Sequence, residues 1–231
     1  MKSEMVTNRR ARWYDDACGT ALAMELLGER WSLLIVRELM FGPRRFSELR
    51  AGLPGISANV LTQRLEGLTH AAVVERGHLP PPANAPVYAL TPWGREAEQA
   101  IMVLGRWAAR SPDHDPTLFL SPAAMMLSLR TMIDARRAGD LRLAIGFRFG
   151  RDAFAATLAQ GALAVVRGPA DGDLVFDTDP RTMAAIVYGK QPIAAAEAAG
   201  ALRFTGNRAA AETFIDLFHL PAKAARAPVA G

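Results

Sequence analysis

With 231 residues, half of them hydrophobic, the chain is long enough to bury a substantial core and to divide into two domains. Its single cysteine excludes an intrachain disulfide framework. No apolar run reaches membrane-spanning length and the charged start MKSEMVTNRR has no apolar signal core, so we expect a cytoplasmic protein that inserts into no membrane. The net charge of +4, carried mostly before Ser111, is compatible with a nucleic-acid partner without demanding one.

Residues 16–40 carry Leu22, Leu26 and Leu27, then Trp31, Leu34, Ile35 and Leu39 at helical spacing, with Gly28 separating two helices. Cys18 lies near the start of the first, where a helix N-terminus lowers a thiol pKa. An inert small residue and a redox-responsive thiol both fit that position. With no second cysteine, a switch there needs a bond to Cys18 of another copy, a mixed disulfide or an adduct.

Arg44 and Arg45 begin a short helix whose apolar positions are Phe46 and Leu49, with Leu53 just beyond. Gly55 then closes a turn and Ser57 stands as the N-cap of a second helix. There Leu61, Leu65 and Leu68 recur at i, i+4 and i+7 as one buried stripe. Asn59 and Gln63 fall nearly opposite it, flanked by Thr62 and Glu66. An Asn or Gln amide can donate to and accept from one adenine edge together, so Asn59, Thr62 and Gln63 are candidate base readers. Arg44, Arg45 and Arg64 are candidate phosphate contacts that fix register, and Ser57 at the helix start belongs to the same set. A solvated amphipathic helix would show the same periodicity.

Two extended runs follow, at 73–76 and 87–90, joined by HLPPPANAP. Consecutive prolines cannot join a strand ladder, so this loop projects as a stiff tip, and Arg76 and His78 at its base are candidates for minor-groove or phosphate contact. Thr91-Pro92 then opens a helix to residue 110 with Ala97, Ile101, Leu104 and Trp107 at helical spacing.

The stretch CGTALAMELLGERWSLLIVRELMFGPRRFSELRAGLPGISANVLTQRLEGL, followed by YALTPWG, resembles the HxlR family of bacterial winged-helix regulators, which are relatives of the MarR type. The likeness covers about residues 15–110. It implies a winged helix-turn-helix, a homodimer on a double-stranded inverted-repeat operator, and one recognition helix per half-site. It also implies that the 92–110 helix and Trp107 serve the subunit interface, and it matches Cys18 to an early cysteine through which some members sense oxidants or electrophiles. One departure stands out: the family's usual glycine after the recognition helix is replaced by His70-Ala71-Ala72-Val73.

RSPDHDPTLFLSP marks a linker at 111–121. Its Asp113-His114-Asp115 cannot close a metal shell from adjacent positions, so no metal is assigned. Beyond it a helix is expected over 123–137, strands near 141–150, 154–158, 163–167 and 173–177, a helix from Asp179-Pro180 through Val187, a short strand at LRFTG and a closing helix. LVFDTDPRTMAAIVYGKQPIAAAEAAGALRFTGNRAAAETFIDLF resembles the sterol-carrier-protein-like fold. That resemblance implies an antiparallel sheet with helices on one face around an apolar tunnel for a lipid-type ligand. Candidate lining residues are Phe147, Phe149, Met183, Ile186, Ile193, Phe204, Phe214 and Phe218, each of which also suits a packed core.

The fold class expected is therefore α+β: a winged-helix DNA-binding and dimerisation domain (1–110), a linker (111–121) and a sterol-carrier-like sensing domain (122–231). The function expected is a transcriptional regulator, a repressor, modulated by a hydrophobic small molecule. The alternative is a lipid carrier in which the winged helix mainly dimerises. The four histidines are scattered and no HExxH, phosphate loop or nucleophile elbow occurs, so neither an enzyme nor a cofactor is expected.

Overall fold

The computed structural model describes residues 14–226; the charged start at 1–10 and the outer ends of the two expected domains lie outside them. The first half runs α1 (Gly19–Leu27), α2 (Ser32–Leu39), α3 (Phe46–Gly52), α4 (Ala58–His70), β1 (Val74–His78), β2 (Pro86–Leu90) and α5 (Pro92–Ala108). Leu61, Leu65 and Leu68 of α4 are buried against Ile35, Val36 and Leu39 of α2 and Leu49 of α3, so the leucine stripe read from spacing is the core of a helix-turn-helix. β1 and β2 form the antiparallel ribbon, with Val74 opposite Leu90 and His78 opposite Pro86. Thr91 caps α5, its hydroxyl accepting from Gly94 N at 2.9 Å.

The missing family glycine has a local solution. α4 ends at His70, and Ala72 takes the left-handed conformation itself, with φ of 56°. An L-residue there brings Cβ against the following carbonyl, at a cost of roughly 1–2 kcal/mol.

The second half runs α6 (Pro122–Met132), α7 (Ala135–Ala138), β3 (Leu143–Phe149), β4 (Asp152–Ala159), β5 (Ala162–Arg167), β6 (Leu174–Thr178), α8 (Pro180–Val187), α9 (Ile193–Ala198), β7 (Arg203–Gly206) and α10 (Arg208–Ile215). The helix expected over 123–137 breaks after Met132, where Asp134 starts α7 by accepting from the backbone N–H groups of Arg136 and Arg137. The sheet order is β5-β4-β3-β6-β7. Alternation puts Ile145, Phe147 and Phe149 on the inner face beside Phe154, Leu174 and Phe176, and the helices cover that face.

The wholly antiparallel sheet expected from the sequence needs one correction: the central β3–β6 pair is parallel, Phe147 lying opposite Phe176. After β5 the chain crosses the outer face of the sheet instead of making a hairpin, and this brings β6 in alongside β3. Gly146 permits the crossing, since a Cβ there would stand 2.5 Å from the carbonyl carbon of buried Ala170. Alternation within single strands carries no record of their direction.

Buried residues of both halves form one continuous cluster. Phe41, just past α2, meets Phe154 of β4 edge-on at 5.8 Å between centroids. Glu38 of α2, 1% exposed, accepts 2.6 Å from Ser121 Oγ and 2.9 Å from Arg37 Nη2. Ser121 also caps α6, accepting from Ala124 N at 3.0 Å. Across the same seam Arg44 donates to Asp152 at 2.6 Å and Arg130 of α6 pairs with Glu98 of α5, while Arg167 of β5 shares the Asp152 carboxylate from within the second half. Past α10 the chain returns to the connecting segment, Lys223 Nζ donating to Ser111 O at 3.0 Å and Ala224 N to Arg110 O at 2.7 Å. Among the described residues no helix is long and apolar enough to cross a membrane.

Ala72→Gly relieves the strained end of α4 and is expected to raise stability by about 1 kcal/mol, read as a higher urea midpoint at unchanged m-value. An unchanged or lower midpoint would show that the left-handed turn carries no strain.

Candidate nucleic-acid interface

α4 begins where Ser57 Oγ accepts from Val60 N at 3.2 Å. With Leu61, Leu65 and Leu68 facing inward, helical geometry leaves Asn59, Thr62, Gln63 and Glu66 exposed along the opposite side. Three of these can donate or accept at base edges, while Glu66 only accepts and suits a cytosine amino group. Gln63 stands at the margin of this face, bordering a small hollow of about 140 Å³ between α1 and α4.

A backbone bridge ties the start of α3 to the wing. Arg44 N donates to Tyr88 O at 2.9 Å and Tyr88 N donates to Arg44 O at 2.8 Å. In extended backbone successive side chains point to opposite sides. Arg45 therefore faces outward, with its own N–H bonded to Glu48 Oε2 at 2.8 Å. Arg45, Phe46, Ser47, Arg76, His78 and Tyr88 line a single concavity of about 590 Å³ between α3 and the wing, and the Arg76 guanidinium lies 5.7 Å from the Tyr88 ring centroid. Three of the candidate contacts scattered through the sequence are thus gathered in one basic groove.

Two candidates are engaged elsewhere. Arg44 turns into the seam to meet Asp152, a partner 108 residues away, and only 12% of its side chain is exposed. Arg64 Nε donates to Arg30 O at 3.0 Å and its guanidinium pairs with Glu29, which ties α4 to the α1–α2 turn. Helical periodicity places Arg64 near the surface but is blind to a partner on another helix.

The eight residues proposed to line a tunnel pack against one another and their neighbours. Phe147 lies 5.7 Å from Phe176 and 6.3 Å from both Phe149 and Phe214; Phe214 meets Phe218 at 4.9 Å, and Phe204 meets Phe176 at 5.2 Å. Met183 and Ile186 are fully buried beside them and Ile193 nearly so. The packed-core alternative describes these side chains better than the lining reading.

Cys18 is exposed as the residue preceding α1. The backbone N–H and hydroxyl of Thr20 and the backbone N–H of Ala21 hold its thiol below the ordinary value. α5 exposes Val103 (68%), Leu104 and Trp107 (71%), and α1 exposes Leu22 and Met24. Large apolar side chains this exposed on neighbouring positions mark a surface suited to association.

The HxlR-like helix-turn-helix family profile matches residues 26–115, a span that contains the reader but not Cys18. Residues 114–224 match the profile of the alkyl sulfatase C-terminal region. The HTH-type transcriptional regulator YodB of Bacillus subtilis is 38% identical over 86 residues, covering 37% of this chain and 77% of that protein. The uncharacterized HTH-type transcriptional regulator Rv3095 of Mycobacterium tuberculosis is 39% identical over 102 residues, covering 44% and 63%. Among solved structures, reduced YodB from B. subtilis has a TM-score of 0.38 at 34% identity, covering 43% of this chain and 100% of that one. Its quinone-bound form has a TM-score of 0.34 at 35% identity, covering 38% and 93%.

The placement of these side chains separates their roles. Gln63→Ala is expected to cost about 1–3 kcal/mol on cognate DNA and little on scrambled DNA, as loss of a base contact does. Arg45→Ala and Arg76→Ala should each weaken both and lower the slope of log K against log salt by about 1. Arg44→Ala should leave that slope unchanged while lowering the urea midpoint, because it removes the Arg44–Asp152 hydrogen bond that joins the two halves. Fluorescence anisotropy across a salt series reads all three, and a reduced slope for Arg44→Ala would return that residue to the DNA surface.

Proposed function

The chain belongs to the HxlR-like helix-turn-helix family of transcriptional regulators, and on that premise we propose that it is a homodimeric repressor of an inverted-repeat operator, controlled by a small molecule. The observation that carries this reading is the exposed Asn59, Thr62 and Gln63 on the second helix of the helix-turn-helix, with Arg45, Arg76 and His78 gathered in a groove between α3 and the wing. Amides on a helix narrow enough for the major groove read base edges, and guanidinium groups beside it hold phosphates. The two-fold axis of a dimer sets half-sites about one helical turn apart, roughly 34–36 Å. Val103 and Trp107 of α5 with Leu22 and Met24 of α1 supply the apolar subunit contact. A protein with this task works in the cytoplasm, where the operator is.

The second half serves this reading as a non-catalytic regulatory body attached to the reader. Its phenylalanine-packed interior supports that role over the lipid-carrier alternative, which needs a lined tunnel. Anisotropy against DNA from the gene's own upstream region, with scrambled competitor, tests the reading. Competitor-resistant binding with two chains per inverted repeat is expected. Trp107→Glu should shift the protein toward monomer in light scattering and weaken operator binding by at least tenfold, whereas a monomeric wild type with unaltered operator affinity would contradict the dimer.

Cys18 is the candidate chemical sensor in the same reading. Because its pKa is lowered, the reactive thiolate persists to lower pH than in a free peptide cysteine, whose pKa is about 8.5. The rate of alkylation by iodoacetamide should therefore have its pH midpoint below that of a peptide control. A midpoint at or above the control, or an oxidant response of DNA release unchanged in Cys18→Ser, would leave Cys18 an inert exposed residue.

A further inference from the structure

A cavity of about 460 Å³ lies at the seam between the two halves, well within the size range of small-molecule sites. Leu33 and Leu34 of α2 and Ile101 and Leu104 of α5 form one wall. Leu118, Phe119 and Leu120 of the connecting segment, with Leu127 of α6, form another, and Ala184 and Tyr188 approach from α8 and its end. The sequence offered no sign of this site, because its walls come from segments as far apart as Leu33 and Leu220 and each wall alone reads as an ordinary apolar surface.

Of the polar residues in this lining, Arg37, His114, Asp115 and Thr131 are engaged with Glu38, Lys223, Thr117 and Leu127 O respectively, which leaves Ser128 and Tyr188. Ser128 Oγ and the Tyr188 hydroxyl are 2.6 Å apart, and neither has another hydrogen-bond partner among the described residues. Two hydroxyls carry two hydrogens and their mutual bond uses one, so the pair keeps one O–H to give. Burial pushes the Tyr188 phenol up, so it stays neutral and remains a donor. The charges nearby do not favour an anion. Arg37 is matched by Glu38, and the Asp115 carboxyl at the rim is held below its ordinary value by the hydroxyl and N–H of Thr117, which keeps it negative.

We propose that this seam cavity is the effector site, and that it takes an uncharged, mainly apolar small molecule bearing one carbonyl or hydroxyl oxygen. The oxygen accepts from the Ser128–Tyr188 pair while the apolar body fills the space between α5 and α6. The site binds independently of what the reader does; only its regulatory consequence rests on the repressor reading. That consequence follows from the walls: α2 and α5 belong to the reader, α6 and the end of α8 to the second half, and α5 also carries exposed Val103 and Trp107. A molecule that fits one spacing of α5 and α6 better than another selects among relative positions of the two recognition helices.

Nile red, an uncharged aromatic with a carbonyl oxygen, is a suitable probe for titration of the full-length protein by fluorescence. One saturable site per chain is expected. Tyr188→Phe, which removes only the hydroxyl, should weaken binding about tenfold, and Ala108→Trp, which fills the cavity from an exposed position on α5, should abolish it. Palmitate should compete poorly. Dye binding unchanged in both variants would overturn the site, and efficient competition by palmitate would overturn the ligand class. If the dye does not bind and Ala108→Trp turns a dimer into monomer, the cavity is a subunit contact and the proposal is wrong. Anisotropy with operator DNA separates the two readings. Dye binding sensitive to Tyr188→Phe with operator affinity unmoved would overturn the effector role alone, whereas absence of any sequence-selective DNA binding would overturn the repressor reading and leave the cavity to stand on the dye titration.

Discussion

A buried carboxylate organises the joint between the two halves. Glu38 is sealed from water where α2, α3 and the start of α6 meet, and an uncompensated charge there would cost several kcal/mol. Its three neighbours are constrained by it in different ways. Arg37 supplies the counter-charge, Ser121 spends its hydroxyl hydrogen on it while using its lone pair to cap α6, and Gly52 must lack a side chain because a Cβ would stand 2.6 Å from Glu38 Oε2. The first helix of the helix-turn-helix and the first helix of the second half are thereby packed against a single ion. Neither can shift far without exposing or orphaning it.

A second charged cluster extends the same joint. Asp152 accepts from Arg44 and Arg167, so two guanidinium groups share one carboxylate, and Arg167 lies 4.6 Å from the Phe154 ring centroid. Its Nε and Nη2 and Arg44 Nε are buried without a hydrogen bond among the described residues, although Arg44 Nε lies 3.9 Å from Glu48 Oε2. Desolvation first, then the nearby charge of Arg44, pull the Arg167 pKa down from its ordinary value, opposed by Asp152 and Glu38. The cluster sits immediately behind the start of α3, and the residue after Arg44, Arg45, faces the groove on the other side. Adjacent arginines in one extended stretch thus do unlike work: one anchors the reader to the second half, the other lies where phosphate can reach it.

Local patterns carried most of the reader. The leucines of α4, the Ser57 and Thr91-Pro92 caps and the proline-rich ribbon tip are decided within a few residues, and the structure places helices, caps and strands where those patterns put them. The second half was legible to the same depth: α8 starts at Pro180 behind the Asp179 cap, and the alternation of LRLAIGFRFG gives β3 its buried face. What escaped were features set by pairs distant in sequence. The parallel β3–β6 match depends on a crossover over Gly146, the fate of Arg44 on a carboxylate 108 residues on, and that of Arg64 on Glu29. Phe147 and Phe149 of β3 and Phe214 of α10 were read as facing inward and are buried, but inward direction alone does not distinguish a filled core from a lined tunnel.

These long-range contacts make the joint suited to transmitting a signal. A ligand moves an equilibrium only by its difference in affinity for two arrangements, and coupling between sites is typically about 1–3 kcal/mol. A single hydrogen bond contributes about 0.5–1.5 kcal/mol net. The α5–α6 contacts, including Arg106 Nη1 to Thr131 O at 2.9 Å and the Arg130–Glu98 pair, are individually of that order and lie beside the seam cavity. Remaking one or two of them is enough to account for a regulatory response. The Glu38 junction is costlier to disturb, so under the proposed effector role it would be the fixed point about which such a displacement turns.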